Sequence, residues 1–404
     1  MKTTNIDWMP FIPDNWNVVR LKDIAKLQSG SGITSADIDE VGDFPVYGGN
    51  GLRGYTTSYT NEGDYVLIGR QGALCGNINY AHDKFYASEH AVVVYTHNKN
   101  ENTTWLGETL RMANFNRLSA SAAQPGLAVN VLNFQMIPYP PEEIRHKIGT
   151  YLDDKLAKID YRIGVLEKEK DAYARLKKSV INQAVTCGLN PNITLKDSGI
   201  EWIGMIPEHW ETKRFKDVFR KYTTGLTPES KVEENFSDDE RFTWVTIGDM
   251  TSRVIFESAM SLSEKVVIEK QPVISPKGSL LFSFKLSIGK TAFAGKDLYT
   301  NEAIVSIPPT KYADLDYFYY TIPSVCFNNA TENIYGAKML NQKIIANMLM
   351  IYPPLSEQQA IAAYLDEKCA KIDAAIENIS KQIDASKRLK KAIINEAISG
   401  KLFD

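Results

Sequence analysis

Polar, turn-rich segments interrupted by aromatic residues are the parts of this chain best suited to hydrogen-bond chemistry with a ligand. In the first half they cover residues 47–55 and 69–72, and in the second half they are Lys285, Lys290, Asn301 and residues 338–342. Arginine and lysine suit guanine edges and phosphates, whereas asparagine and glutamine suit adenine. The candidate nucleic-acid contacts are Asn50, Arg53, Arg70, Gln71, Lys285, Lys290, Asn301, Lys338, Asn341 and Gln342. For each of them, a solvated loop or a structural turn is the competing interpretation.

Catalytic and cofactor motifs are incomplete. Ser287-Ile288-Gly289-Lys290-Thr291 resembles a P-loop, but that motif needs a glycine five residues before Gly289, where Phe284 stands. The sequence lacks the Asn/Asp-Pro-Pro-Tyr/Phe tetrapeptide of amino-methyltransferases and the Pro-Asp with spaced acidic-x-Lys of nucleases. The five histidines and four cysteines show no metal-binding spacing. We therefore predict that the chain is not an enzyme by itself and binds no metal or cofactor.

Length and composition favour an ordinary globular protein of the cytoplasm. The 404 residues are enough for two to four domains. The four cysteines are widely separated, which predicts free thiols in a reducing compartment. No apolar run approaches the length of a membrane span, and the N-terminal residues show no signal-peptide pattern.

The charge distribution argues against a strongly basic surface. The formal net charge is −3. Residues 1–141 carry 10 Lys/Arg and 13 Asp/Glu, and residues 187–355 carry 18 and 20. Any phosphate-binding surface must therefore be a local patch, or partners must supply much of the positive charge.

The sequence repeats its own ends. Arg20-Leu21-Lys22-Asp23-Ile24 returns 194 residues later as Arg214-Phe215-Lys216-Asp217-Val218, and Tyr151-Leu152-Asp153 returns 213 residues later as Tyr364-Leu365-Asp366. The second copy is therefore 19 residues longer between its conserved ends. Similar frames around different middles indicate two related but distinct recognition modules.

Each module is followed by a segment with the period of a long helix. Apolar residues recur in steps of four and three, which is a heptad seam. The seam residues are Leu152, Leu156, Ile159, Ile163, Leu166, Leu365, Cys369, Ile372, Ile376 and Ile379. Each helix should contain about 45 residues and extend roughly 65 Å. Neither can bury its seam alone, so we expect the two to pack antiparallel; a generic coiled coil is the competing interpretation.

Strand-like segments in both modules, such as residues 65–68 and 303–307, complete the predicted fold. The fold class is α/β (α+β): two similar mixed α/β domains, separated by two long antiparallel coiled-coil helices, with a pseudo-twofold internal repeat. The predicted boundaries are residues 1–141 for the first recognition domain, 142–186 for the first helix, 187–200 for a linker, 201–355 for the second recognition domain and 356–404 for the second helix.

Two specific segments carry a family resemblance over essentially the whole chain. Leu195-Lys196-Asp197-Ser198-Gly199-Ile200-Glu201-Trp202-Ile203-Gly204, continuing into residues 206–210, resembles the inter-module segment of the DNA-specificity subunits of type I restriction–modification systems. Pro353-Pro354-Leu355-Ser356-Glu357-Gln358-Gln359-Ala360-Ile361 resembles the family's entry into the second helix. The first helix entry, residues 140–145, departs from this pattern because it lacks Leu-x-Glu-Gln.

The resemblance implies two target-recognition domains, each reading one half of a split sequence in double-stranded DNA. It also implies two methyltransferase subunits, which use S-adenosylmethionine, and two motor–nuclease subunits, which use ATP and Mg²⁺. None of these cofactors would be bound by this chain. Two alternatives remain open: the specificity subunit of a methylation-only or fused-subunit system, and a coiled-coil adaptor that does not bind DNA.

Overall fold

The computed structural model describes residues 1–72, 74–119, 126–229, 231–285, 287–332 and 338–402, which form two compact units. Unit 1 is Met1–Glu169 with Ile379–Asp404, and unit 2 is Lys170–Asn378. The assignment of residues 1–141 and 201–355 to separate recognition domains remains a prediction, because the compact units divide each long helix.

The first half of the chain is rich in short strands. These are β1 (Lys2–Thr3), β2 (Phe11–Ile12), β3 (Asn17–Arg20), β4 (Ala25–Ser29), β5 (Phe44–Gly48), β6 (Gly51–Thr56), β7 (Asn61–Glu62), β8 (Tyr65–Gly69), β9 (Ile78–Ala81), β10 (Lys84–Ala87), β11 (Ala91–Thr96) and β12 (Met136–Tyr139). The helices are α1 (Leu21–Ile24), α2 (Thr103–Met112), α3 (Val129–Asn133) and the long α4 (Glu142–Cys187).

The second half follows a similar order. Its strands are β13 (Leu195–Asp197), β14 (Met205–Pro207), β15 (Glu211–Arg214), β16 (Thr223–Thr224), β17 (Phe236–Ser237), β18 (Trp244–Val245), β19 (Val254–Ile255), β20 (Ser261–Leu262), β21 (Leu280–Ser283), β22 (Thr291–Ala294), β23 (Tyr299–Thr300), β24 (Ile304–Ile307), β25 (Thr331–Glu332), β26 (Lys338–Met339) and β27 (Leu349–Tyr352). Its helices are α5 (Phe215–Val218), α6 (Glu264–Lys270), α7 (Leu315–Asn329), α8 (Gln342–Asn347) and the long α9 (Leu355–Ile398).

Each unit is built on a central sheet whose inner strands are buried on both faces. In unit 1 the strand order is β4-β11-β8-β9, and in unit 2 it is β16-β24-β21-β22-β19. Successive side chains of a strand point to opposite faces. Accordingly Val92 and Val94 of β11 join one apolar cluster and Val93 joins another. Burial of such side chains contributes about 1.5–3 kcal/mol each, which makes these sheets the rigid part of each unit.

The strand registers show that the two units share one frame. Val93 pairs with Leu67 in unit 1, and Ser306, 213 positions after Val93, pairs with Leu281 in unit 2. Parallel pairs repeat in the same way: Tyr47 with Ala87, and Val245 with Thr300. The fold predicted from the repeated ends therefore extends through the dissimilar middles.

These registers also locate the additional residues of the second copy. Val245 lies 198 positions after Tyr47, whereas Leu281 lies 214 positions after Leu67. The difference shows that 16 of the 19 additional residues lie between β18 and β21. We call residues 246–279, which contain β19, β20 and α6, the unit 2 insertion.

The two predicted long helices are present, with 46 residues in α4 and 44 in α9. Two glutamates occupy the first turn of α4, where the helix dipole favours negative charge. Gly188, at φ +74°, follows its last residue and takes the left-handed conformation that commonly ends a helix. Among the described residues, no helix combines the length and apolar character needed to cross a membrane.

Both helices contribute to the core of each unit. The beginning of α4, with Leu152 and Leu156, shares the unit 1 core with Ile394 and Ile398 of α9. In unit 2, Leu365 and Cys369 of α9 share the core with Ala184 and Val185 of α4. Eight of the ten seam residues are buried, while Ile163 and Ile376 are half-buried.

Candidate nucleic-acid interface

In unit 1 the candidate residues lie on neighbouring loops. Asn50 is in the turn between β5 and β6, and Arg53 is on β6; Arg70 and Gln71 directly follow β8. The Asn77 amide, in the loop between β8 and β9, donates a 3.2 Å hydrogen bond to the Asn50 side-chain oxygen. The structure therefore brings these two loops together.

Exposure differs among these residues. Arg53 and Gln71 are exposed. Arg70 is half-buried, and its guanidinium donates a 3.4 Å hydrogen bond to the Ser29 hydroxyl. Arg53 and Gln71 consequently remain available to an external ligand, whereas Arg70 also ties its loop to β4.

In unit 2 several candidates have structural partners. The side-chain oxygen of Asn301 accepts a 3.1 Å hydrogen bond from the Ala303 N–H. Asn341 caps α8 by accepting a 2.9 Å bond from the Ile344 N–H. The ammonium groups of Lys290 and Lys338 donate to backbone carbonyls, those of Ile247 and Phe327 respectively. These bonds stabilise turns and a helix start, which is the competing role that the residue types allow.

Lys285 and Gln342 are exposed, as is Asn341. Lys285 lies 3.7 Å from the Glu302 carboxylate, with half of its side chain exposed. Gln342 donates a 3.4 Å hydrogen bond to the Thr224 hydroxyl at the edge of the central sheet. Lys338 lies on β26, which pairs with β25, and its ammonium lies 4.0 Å from the centroid of the Phe327 ring.

A turn at equivalent positions of both units presents a glutamate that the sequence analysis missed. We call residues Ser88–His90 the Glu89 turn and residues Asn301–Ala303, 213 positions later, the Glu302 turn. The side chain of the first residue accepts a hydrogen bond from the N–H two residues on, at 3.4 Å in unit 1 and 3.1 Å in unit 2. The signal was the repeat itself, because residues 86–92 and 299–305 share a tyrosine, this glutamate and a valine.

The backbone around both turns is also the same. The Ser88 N–H donates to the Tyr47 carbonyl at 2.9 Å, and the Asn301 N–H donates to the Val245 carbonyl at 3.0 Å. On the other side of each turn, a glycine, Gly30 in unit 1 and Gly225 in unit 2, allows the neighbouring backbone to approach closely. A Cβ atom on Gly30 would overlap the Ala87 carbonyl oxygen, and one on Gly225 would overlap that of Thr300.

Side chains hold the unit 2 insertion in place. Arg253 donates from one guanidinium to both Asp366 and Asp316, each at 2.5 Å. The guanidinium carbon of Arg253 also lies over two aromatic rings, that of Tyr319, 4.8 Å from the ring centroid, and that of Phe293. Burial acts to lower the pKa of Arg253, but the bonds to the two carboxylates outweigh it and raise that pKa. Arg253 is therefore always charged, and it links the insertion to α7 and α9.

In each unit, an ion pair at an equivalent position joins α4 to α9. Lys390 lies 2.7 Å from Asp160 in unit 1, and Lys177 lies 2.7 Å from Asp373 in unit 2. Both lysines and both aspartates are 213 positions apart. In the described part of the chain, no group of three or more His, Cys, Asp or Glu side chains is arranged to hold a metal ion.

Comparison with known families gives a match in each half of the chain. The model of the type I restriction modification DNA specificity domain matches residues 13–167 and again residues 207–385. The type I restriction enzyme EcoprrI specificity subunit of Escherichia coli is 36% identical over 165 residues, which are 40% of this chain and 41% of that protein. The MjaVIII specificity subunit of Methanocaldococcus jannaschii is 23% identical over 97% of this chain and 94% of its own length.

Solved structures are similar over the whole chain. A chain from a type I R-M system, studied for its complex assembly and conformational transition, has a TM-score of 0.69 at 17% identity. That match covers 96% of this chain and 98% of the other. The HsdS subunit from Thermoanaerobacter tengcongensis has a TM-score of 0.50 at 16% identity, with the same two coverages. At these identities the similarity concerns the fold.

Proposed function

The chain belongs to the type I restriction modification DNA specificity family, and we propose that it recognises a DNA target of two separated half-sites, one through each unit. The observation that carries the proposal is the double match of the family model, over 13–167 and over 207–385. Each matched region contains the same strand frame with different loops, so each can read its own sequence.

Within a complex, the chain would direct methyltransferase and motor–nuclease subunits to that target in the cytoplasm. We expect two methyltransferase subunits and two motor–nuclease subunits in that complex. Those partners would bind S-adenosylmethionine, ATP and Mg²⁺, and this chain would bind none of them. We expect the chain alone neither to methylate nor to cleave DNA, because its sequence contains no complete catalytic motif.

The charge of the two recognition modules supports the proposal that DNA binding depends on partner subunits. Both recognition modules carry more acidic than basic residues, so attraction to phosphates by this chain alone should be weak at physiological salt. Arg53 on β6 and Gln71 directly after β8 are exposed and are candidates to meet DNA, as is Lys285, which lies 3.7 Å from the Glu302 carboxylate. Positive charge from the methyltransferase subunits would then supply most of the affinity, while this chain supplies selectivity.

Methylome sequencing tests the proposal directly. Cells that contain the methyltransferase subunits are compared with and without this chain. We expect one methylated motif, split by a gap of unspecified bases, to be present only with the chain. An unchanged methylome would contradict the proposal and favour a coiled-coil adaptor that does not bind DNA.

A further inference from the structure

The Glu89 and Glu302 turns are held together without hydrogen bonds from their backbone to the two carboxylates. In each turn, the N–H of the residue after the glutamate already donates a hydrogen bond to the side chain of Ser88 or Asn301, so it does not need the glutamate as an acceptor. Neighbouring backbone fixes the turn from both sides, through the Tyr47 and Ala87 carbonyls in unit 1. In the described part of the chain, neither carboxylate accepts a hydrogen bond from the backbone. A side chain at a rigid position, on which the turn itself does not depend, is well placed to meet a ligand.

We infer that Glu89 and Glu302 are specificity-determining residues, each accepting a hydrogen bond from the exocyclic amino group of one cytosine or adenine in its half-site. The inference rests on the proposed function and names residues within it. Carboxylates are acceptors only, and the amino groups of cytosine and adenine are the donors that base edges offer in the major groove. Phosphates repel a carboxylate, so contact with the DNA backbone is excluded for these two residues.

In unit 1 the Glu89 turn has hydrogen-bonding capacity that the protein leaves unused. Side chains of Glu89 and His90 are 40% and 38% exposed, and the Glu89 Oε1 lies 3.3 Å from the His90 Nε2. The other carboxylate oxygen and the His90 Nδ1 are buried without a partner, and so is the Asn79 amide nitrogen. Because these atoms have no hydrogen bond to give up, a small rotation toward a base gains hydrogen bonds and gives up only the 3.3 Å contact between Glu89 and His90.

The turn also lies beside the candidate loops. Gly49, in the turn that contains Asn50, packs against the carbonyls of Gln71 and His90. Glu89 thus shares one loop cluster with Asn50 and Gln71, which have the side chains suited to adenine. A single base pair, or two adjacent ones, can be read from this cluster.

In unit 2 the same carboxylate has a different neighbour. Glu302 lies 3.7 Å from the ammonium of Lys285, and the two side chains are 48% and 51% exposed. Residue 303 is alanine, so no imidazole accompanies the carboxylate. Both units therefore present a glutamate carboxylate at the same position, beside a histidine in unit 1 and a lysine in unit 2. This difference lets the two units read different bases.

The experiment is methylome sequencing of cells that carry the methyltransferase subunits and one version of the full chain. The versions are the unaltered chain, Glu89→Ala, Glu302→Ala, the isosteric Glu89→Gln and a matched control, Glu62→Ala. Glu62 is an exposed carboxylate of unit 1 that pairs with Lys84, at the far end of β10 from the Glu89 turn. A sample without the chain is included.

We expect Glu89→Ala to permit methylation at sites that differ from the target at one base of one half-site, with discrimination at that base reduced by roughly tenfold or more. Glu302→Ala should do the same in the other half-site. Glu89→Gln should shift the preference at the same base, because its amide both accepts and donates. Glu62→Ala should leave the motif unchanged.

Three results would overturn the inference. They are an unchanged motif in the Glu89 variants, tolerance that appears in both half-sites, and a uniform loss of methylation without a change at any one base. Failure of the proposed function would be seen separately, because the unaltered chain would then give the same methylome as the sample without it.

Discussion

In unit 1 the segment between β5 and β8 contains β6, which forms a hairpin with β5, and β7, whereas the matching segment of unit 2 contains β19, β20 and the helix α6. Each segment begins after a strand that belongs to a parallel pair, and each ends at the equivalent strand of its central sheet. The hairpin is joined to its neighbour by the bond between Asn77 and Asn50, and the insertion by the ion pairs of Arg253. The shared frame rests on backbone pairing between equivalent strands, whereas the side-chain bonds of Asn50 and Arg253 are particular to one unit, so these segments can differ without loss of the frame.

Substitution of the close-approach glycines should have the largest effect on stability. Gly30→Ala and Gly225→Ala each place a Cβ atom against a backbone carbonyl that cannot move without displacing the Glu89 or Glu302 turn. We expect each to lower the free energy of unfolding by about 1–3 kcal/mol, the usual cost of overpacking. Urea denaturation would measure it, with hydrogen exchange showing which unit is affected.

Gly32→Ala is the matched control, because a Cβ atom on Gly32 meets nothing within 4 Å. It should change the free energy of unfolding by no more than about 0.5 kcal/mol. If Gly30→Ala were destabilising and Gly225→Ala were not, the two units would not share a frame at this position.

Removal of the guanidinium that holds the insertion should affect unit 2 alone. Arg253→Met leaves Asp316 and Asp366 without their cation, and we expect a loss of about 1 kcal/mol, since both carboxylates are about half exposed and screened by solvent. Hydrogen exchange should increase in residues 246–279. Arg241→Met, which removes a far more exposed guanidinium from Asp239, is the control and should have almost no effect. Equal effects of the two substitutions would show that Arg253 does not anchor the insertion.

The equivalent ion pairs on the helices should give the smallest and most similar effects. Lys177 and Lys390 are 31% and 32% exposed, and both of their aspartate partners are 54% exposed. Lys177→Met and Lys390→Met should each cost about 0.2–1 kcal/mol. The loss should be equal in the two variants and should diminish in 1 M salt, where screening is strong. Lys168→Met, at an exposed position of α4, controls for the loss of charge; a clear difference between the two paired lysines would show that the helical segments are not equivalent.

Periodicity and repetition made the helices and the shared ends predictable. Prolines 140 and 141 precede α4 and Gly188 follows it, and a heptad pattern continues between them. These signals arise from local backbone preferences, which a sequence states directly. The order of the central sheets was not predictable, because pairing between distant strands depends on packing that no local pattern records.

The candidate contacts were harder to predict, because one residue type serves two purposes. Asparagine suits both adenine and a helix or turn cap, and Asn341 and Asn301 are caps. Their roles became visible only when the backbone N–H groups around them were placed. Glu89 and Glu302 were missed for a different reason: the frame around them is conserved in backbone geometry, while few side chains are shared.

Replacement of one unit's variable segment tests most directly whether each unit reads its own half-site. Residues 17–135 begin at β3 and end before β12, so a relative's matching segment can be exchanged within the frame. Methylome sequencing of cells with the exchanged chain should show a motif in which one half-site is new, while the other half-site is unchanged. Exchange of residues 211–348, the equivalent segment of unit 2, should alter the other half-site. A motif changed in both halves by one exchange, or in neither, would contradict independent reading by the two units.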